Sequence, residues 1–376
     1  MGPLTGMTFI EMAGIGPGPF AGMLFADMGA KVISIDRSSK PGGILPTDIT
    51  RRGKHSIALN LKSEQGIEVL MRLIESADAL LEGFRPGVME RLGIGPDVCL
   101  ARNPKLVYGR MTGWGQTGPL SQAAGHDINY ISLSGVLHAI GRAGERPVPP
   151  LNLVGDYGGG AMFLVTGMFA ALLQAQKSGE GQVVDAAMTE GSSLLMSMFH
   201  SFMNIGGWTT ERGDNILDGA AHFYDTYETS DGKYVSIGSI EPQFYQLLIE
   251  KAGLDADAFS DQHNKTQWPE LKNQLTSVMK TKTRDEWCEI MEGTDVCFAP
   301  VLNMVEAQAH EHNVAREAFI EVDGHSQPGP APRFSGTPSG VEFGMHEAGA
   351  DTDEVLGQLG YSDKDVSALR DQGVLT

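Results

Sequence analysis

The first 110 residues alternate short apolar runs with amphipathic stretches. "TFIEMA" reads as a buried strand, "FAGMLFADMGA" as a helix closed by glycine, and "KVISID" as a second strand. The rhythm continues with strand "SIALNL", helix "SEQGIEVLMRLIESA", strand "ALLEGF", a short helix "GVMERLG" and strand "KLVYGRM". A helix around 161–175, strand "QVVDAAM" and helix "EGSSLLMSMFHSFMN" follow. Strands alternating with helices predict an α/β fold with a mostly parallel sheet and right-handed crossovers.

The pattern then changes. "IGGWTTERGDNILDGAAHF" has no clear period and is expected to be a linker over 205–222. "YDTYETSDGKYVSIGS" predicts a hairpin turning at Ser230-Asp231-Gly232. Residues 223–325 are expected to form a smaller α+β domain. The large domain then comprises 1–204, completed by 326–376, where "GHSQPGPAPRFSGTPSG" reads as a connector and the tail as helical. A chain of 376 residues suffices for two such cores.

Charge divides the chain further. The net charge is −19, which argues against nucleic acid as a partner. Residues 1–110 nevertheless carry a balance of +2, and the remainder −21. Arg37, Lys62 and Arg85 follow directly on predicted strands, and Arg51, Arg52, Lys54 and Arg91 lie nearby. Carboxyl ends of parallel strands are where such sheets bind ligands, so these residues read either as a polyphosphate site or as solvated surface charge. Three scattered cysteines, Cys99, Cys288 and Cys297, offer neither a disulfide framework nor a zinc motif, and no metal is expected. A reducing, cytoplasmic setting is expected. The N-terminus lacks a signal-peptide pattern, and "AMFLVTGMFAALL" (161–173) reads as too short to span a bilayer, so no membrane partner is expected.

Candidate chemistry sits in glycine-rich segments. "GIGPGPFAG" matches a dinucleotide fingerprint formally, but Pro17 and Pro19 remove N–H donors from the phosphate loop, which favours an ordinary tight turn. In "GHDINY", His126 reads either as a structural histidine or as an acid–base group at a helix start, where free N–H groups can hold an oxyanion. Asp156 in "NLVGDYGGG" is either an N-cap or a site residue. Glu241 ends a strand before a proline. The methionines of "LLMSMFHSFM" read as core filling or as a surface for apolar tails.

Together, "GIGPGPFAGMLFADMGAKVISIDR", "LEGFRPGVMERLG", "MTGWGQTGPLSQAAGHDINYISLSGVLHAIG", "RPVPPLNLVGDYGGG", "GEGQVVDAAM" and "IEPQFY" resemble the α-methylacyl-CoA racemase branch of the family III CoA-transferase superfamily. The resemblance runs to about residue 337. It implies a large Rossmann-like domain with a smaller α+β domain in an interlocked homodimer, the site lying between the large domain of one subunit and the small domain of the other. It implies His126 as one base, supported by Glu241, and Asp156 as the second. The Asp127 position marks the helix start whose backbone N–H meets the thioester oxygen. Implied CoA contacts are Arg37, Leu59, Asn60, Leu61, Lys62, Gly83, Arg91, Gly125, Ile128, Asn129 and Tyr130, besides His126 and Asp127. The implied reaction interconverts (R)- and (S)-2-methylacyl-CoA through an enolate. No separate cofactor is expected, since CoA belongs to the substrate. The alternative is a CoA transferase with Asp156 as nucleophile, against which His126 argues; a nicotinamide-linked oxidoreductase rests on the glycine match alone.

Overall fold

A computed structural model describes residues 2–37 and 47–376. They divide into two compact units: Met1–Ser134 with Leu151–Leu195 and Glu317–Thr376, and Gly135–Pro150 with Met196–Arg316.

The first unit is built on six parallel strands: β1 (Thr8–Met12), β2 (Lys31–Asp36), β3 (Lys54–Ala58), β4 (Ala79–Glu82), β5 (Val107–Thr112) and β6 (Val183–Ala187). Their order is β3-β2-β1-β4-β5-β6. The chain winds outward from β1 in one direction and then, from β4, in the other. The switch point between β1 and β4 therefore opens a crevice at the strands' carboxyl ends. Central strands are apolar on both faces because helices cover both. Phe9, Val32, Ala79 and Val107 face one cluster, while Ile10, Ile33, Leu80 and Tyr108 face the other.

Helix Glu64–Ser76 follows from its amphipathic pattern. Ser63 caps it, its hydroxyl accepting from the Gly66 N–H at 3.3 Å, and Val69, Leu70, Leu73 and Ile74 are buried. Two expectations change in this unit. The apolar helix extends from Leu153 to Ser178, 26 residues, because a π-helical turn (Leu153–Ala161) runs directly into Met162–Ser178. By length and composition it is long enough to cross a membrane, unlike the shorter segment read from sequence, and half of its most apolar stretch is buried within the protein. The connector "GHSQPGPAPRFSGTPSG" also begins as a strand, with β10 (Phe319–Val322) and β11 (His325–Pro328) pairing antiparallel.

The second unit holds an antiparallel sheet of β7 (Tyr224–Glu228), β8 (Tyr234–Gly238) and β9 (Phe298–Val301). Gly232, at φ 73°, supplies the left-handed turn residue read from the sequence, and the Thr229 N–H donates to the Lys233 carbonyl at 2.9 Å. Helices Pro242–Ala252, Trp268–Met279 and Arg284–Met291 supply its core with β7 and β8. Residues 205–222 are not a free linker. Asn215 is buried, its side chain donating to Thr209 O, Glu211 O and Asp218, and Ala221 and His222 are fully buried. Residues 135–150 cluster here too rather than with the large domain, and Arg142 pairs with Asp225 at 2.6 Å. The single helix expected over 190–204 is two, Met188–Leu195 and Ser197–Asn204, and the unit boundary falls at the break.

Candidate active site

At the switch point a cavity of about 580 Å³ opens in the first unit. Its wall is assembled from strand ends. Ile15–Gly18 come from the turn after β1, Gly83–Pro86 from after β4, Gly113 and Trp114 from after β5, and Met188 from after β6. Gly125, His126, Tyr130, Asn152 and Asp156 also line it. The size falls within the range of small-molecule sites.

His126 is exposed and stands immediately before the helix Asp127–Leu133. Its backbone N–H donates to Asn129 Oδ1 at 3.0 Å, fixing the entry to the helix. The ring of Tyr130 packs into space that a side chain at position 113 would occupy: a Cβ on Gly113 would come within 2.0 Å of it. Its hydroxyl donates to the Gly125 carbonyl. The glycines of "TGWGQTG" and "AAGHD" thus permit a close approach between this aromatic ring and two loops.

Asp156 stands on the π-helical turn, a widened geometry frequent at functional sites. The apolar residues just before it, Leu153 and Val154, belong to the same helical turn. Asn152, one turn earlier, donates from Nδ2 to Asp156 Oδ2 at 3.2 Å. The Asp156 N–H donates to Oδ2 of Asp127 at 2.8 Å. Gly155 makes that contact possible, since a Cβ there would come within 2.5 Å of the same Asp127 oxygen. Asp127 is 5% exposed, and its Oδ1 is buried with no hydrogen-bond partner among the described residues. Burial pushes the Asp156 carboxyl above the usual carboxylate range. The Asn152 hydrogen bond opposes the shift, the Asp127 charge adds to it, and nearby His126 opposes it.

Glu82 holds the loop after β4. Its carboxylate accepts from the Phe84 N–H at 2.7 Å and from Arg110 Nε at 2.9 Å. Burial lifts it to about 7 against both contacts.

The glycine fingerprint forms the turn into helix Pro17–Asp27 and lines the cavity. Prolines occupy two of the first three helical positions, which leaves a poor phosphate cradle. Of the other residues singled out from sequence, Gly83 and Arg85 line the cavity. Arg37, Lys62 and Arg91 are exposed, whereas Leu59 is buried. The Arg37 carbonyl accepts from Thr376 Oγ1 at 3.0 Å, and the Asn60 N–H donates to the Val374 carbonyl at 2.9 Å, so the chain's end braces this basic edge. Leu61, Ile128 and Asn129 lie outside the cavity lining. Glu241 belongs to the second unit, where it is exposed and precedes helix Pro242–Ala252. Sequence reading passed over Asn152 and Trp114. The signal for Asn152 was its spacing, four residues before Asp156.

Comparison with known proteins bears on what this cavity serves. The chain is 46% identical over 376 residues to the α-methylacyl-CoA racemase of Mus musculus, with 99% of this chain and 97% of that protein covered. It is 42% identical over 374 residues to that of Homo sapiens, with the same shares covered. The crystal structure of a CAIB/BAIF family protein from Brucella suis has the same fold, with a TM-score of 0.80 at 23% identity over 95% of this chain and 99% of that one. The family model for CoA-transferase family III matches residues 4–352, and the chain belongs to that family.

Proposed function

We propose that this chain is an α-methylacyl-CoA racemase, acting by 1,1-proton transfer at the carbon next to the thioester. The observation that carries the mechanism is that His126 and Asp156 both line one cavity at the carboxyl edge of the sheet. Near-full-length identity to racemases named as such supports the reaction class.

The α-hydrogen of a 2-methylacyl thioester is weakly acidic, and its exchange with inversion needs one group on each face. In one direction neutral His126 takes the proton and protonated Asp156 gives one to the opposite face. In reverse, the Asp156 carboxylate takes the proton and the imidazolium gives it back. Before and after each turnover the pair carries one transferable proton. While the enolate exists it carries two, and the enolate's negative charge balances the second, so charge is conserved in both directions. A carboxyl lifted by burial suits this role, because its proton affinity is brought nearer to that of an imidazole. It suits a transferase nucleophile less, since that role needs the anion. The enolate oxygen is assigned to the N–H of Asp127 at the helix start, a preorganised donor.

Three further assignments rest on the family resemblance. Glu241 orients His126. Arg37, Leu59–Lys62, Gly83, Arg91 and Gly125–Tyr130 hold the CoA moiety. The working form is an interlocked homodimer without a separate cofactor; a cytoplasmic setting rests instead on the scattered cysteines.

The test is α-proton exchange in heavy water with each enantiomer of a 2-methylacyl-CoA. Wild type should exchange and racemise both. His126→Ala should lose roughly 10²–10⁴-fold in racemisation yet still exchange one enantiomer through Asp156, and Asp156→Ala should do the mirror. Loss of exchange for both enantiomers in both variants would sink the two-face assignment. Absence of wild-type exchange, with an acyl group on Asp156 trapped by hydroxylamine, would establish the transferase instead.

A further inference from the structure

β3 and the residue before it meet the segment 343–351, which lies almost 300 residues later in the chain. The Gly53 N–H donates to the Phe343 carbonyl at 2.9 Å, and the Asp351 N–H to the Ser56 carbonyl at 2.9 Å. Among the described residues, His55, His346 and Asp351 bring one ligand atom each within 4.8 Å of one another. We propose that these three side chains form a site for a borderline divalent cation such as Zn²⁺, clasping the C-terminal segment to the edge of the parallel sheet.

The geometry is that of ligands gathered around a point. His346 Nδ1 lies 2.9 Å from both Asp351 oxygens, and His55 Nδ1 lies 3.6 Å from Asp351 Oδ1. Bonds of 2.0–2.1 Å at tetrahedral angles place two ligand atoms about 3.3 Å apart, between those two distances. His55 Nδ1 is buried and has no hydrogen-bond partner among the described residues, an independent sign that something belongs there. The outer contacts hold the ligands in place as well. Asp351 Oδ2 accepts the Ser56 N–H at 2.7 Å. The ring of Phe343 stacks on His346 with centroids 4.4 Å apart and meets the edge of His55 at 5.2 Å. Such outer contacts orient metal ligands.

Two imidazoles and one carboxylate select Zn²⁺ and its transition-metal neighbours over Mg²⁺ or Ca²⁺, which prefer all-oxygen shells. Binding requires both rings in the tautomer with the proton on Nε2, so His346 gives up its Nδ1–H contact with Asp351. Three protein ligands leave one position for water.

The experiment uses the full chain, stripped with chelator and titrated with Zn²⁺ at pH 7.5, alongside Mg²⁺. Wild type should bind one equivalent of Zn²⁺ that neither His55→Gln nor His346→Gln binds, and Mg²⁺ should not compete. Co²⁺ substitution gives a second readout: wild type should show the visible absorption of a four- or five-coordinate ion, and both variants should lose it while keeping the wild-type circular dichroism and urea midpoint. Equal stoichiometry and affinity in wild type and both variants, or no wild-type binding below about 100 μM, would overturn the proposal. The result is independent of the racemase reading, because neither histidine lines the cavity.

Discussion

The two units differ in what they bury most. The first inserts charge into its sheet. Glu11, Asp36 and Glu82 occupy the last or penultimate positions of β1, β2 and β4, and all three are buried. Each has a cation: Lys54 at 2.5 Å, Arg51 at 2.8 Å and Arg110 at 2.9 Å. Asp27 and Arg52 add a fourth pair at 2.6 Å. Burial pushes Glu11 up and Lys54 down in proton affinity, and the contact between them opposes both shifts. The second unit relies more heavily on aromatic mass. Phe223, Phe259, Trp268 and Trp287 are nearly or fully buried. Their polar atoms find backbone carbonyls, as Trp287 Nε1 does at Met279 O, 2.8 Å away. His222, fully buried, is held neutral: burial, then Lys272 and His263, push it down to about 4.

Charged pairs at strand ends seldom raise stability over well-packed apolar groups. What they do here is fix loops. Glu82 ties down the Phe84 N–H beside the cavity, and Lys54 reaches the Pro19 carbonyl, at 2.8 Å, in the helix that follows the fingerprint turn. Rigid placement belongs where chemistry is proposed, and the aromatic core belongs where none is assigned to the interior.

The strongest way to break the contrast is to unpair a charge. Lys54→Met should leave Glu11 buried without its cation and cost about 3–5 kcal/mol in urea unfolding. Glu11→Gln combined with Lys54→Met should recover most of that loss. A single-variant cost below about 1 kcal/mol would mean that the pair contributes nothing distinctive.

Acid should expose the second unit. The unfolded chain binds a proton at His222 near pH 6.5, whereas the folded unit resists until about pH 4. The folded affinity is depressed, so the stability it contributes is present above pH 6.5 and lost as pH falls toward 4. The expected loss over that window is about 3 kcal/mol. Urea midpoints followed by tryptophan fluorescence should show it in wild type, and His222→Gln should flatten that part of the profile. An unchanged slope in the variant would place the acid sensitivity elsewhere.

The smallest effects should sharpen the picture of the cavity. Asp127→Asn removes a negative neighbour that raises Asp156, so the acid limb of the racemisation profile should move to lower pH. Asn152→Ala removes a hydrogen bond that lowers Asp156, so the limb should move to higher pH. Each shift should be about one pH unit or less. Shifts of the same sign would contradict the electrostatic account of this carboxyl.

The periodicity of the chain determined the six parallel strands and their helices, because a strand buried on both faces and an amphipathic helix are local signals. "KVISID" is β2 residue for residue, and the turn at Asp231-Gly232 lies where its glycine required it. The residue types and glycines of "GHDINY" and "NLVGDYGGG" marked His126 and Asp156, and family resemblance supplied their roles. Tertiary structure decided the rest. That Asp127 reaches the Asp156 backbone depends on a glycine 28 residues away and on a π-helical turn that no periodicity announces. The acids at the strand ends look like any surface carboxylates until their cations arrive from other strands. Residues 205–222, polar and glycine-rich, read as a linker because their burial is secured by hydrogen bonds from Asn215 rather than by an apolar pattern. His55 and His346 meet at Asp351 only because β3 is the edge strand to which the end of the chain returns. Such pairings are long-range contacts, and a local pattern carries no trace of them.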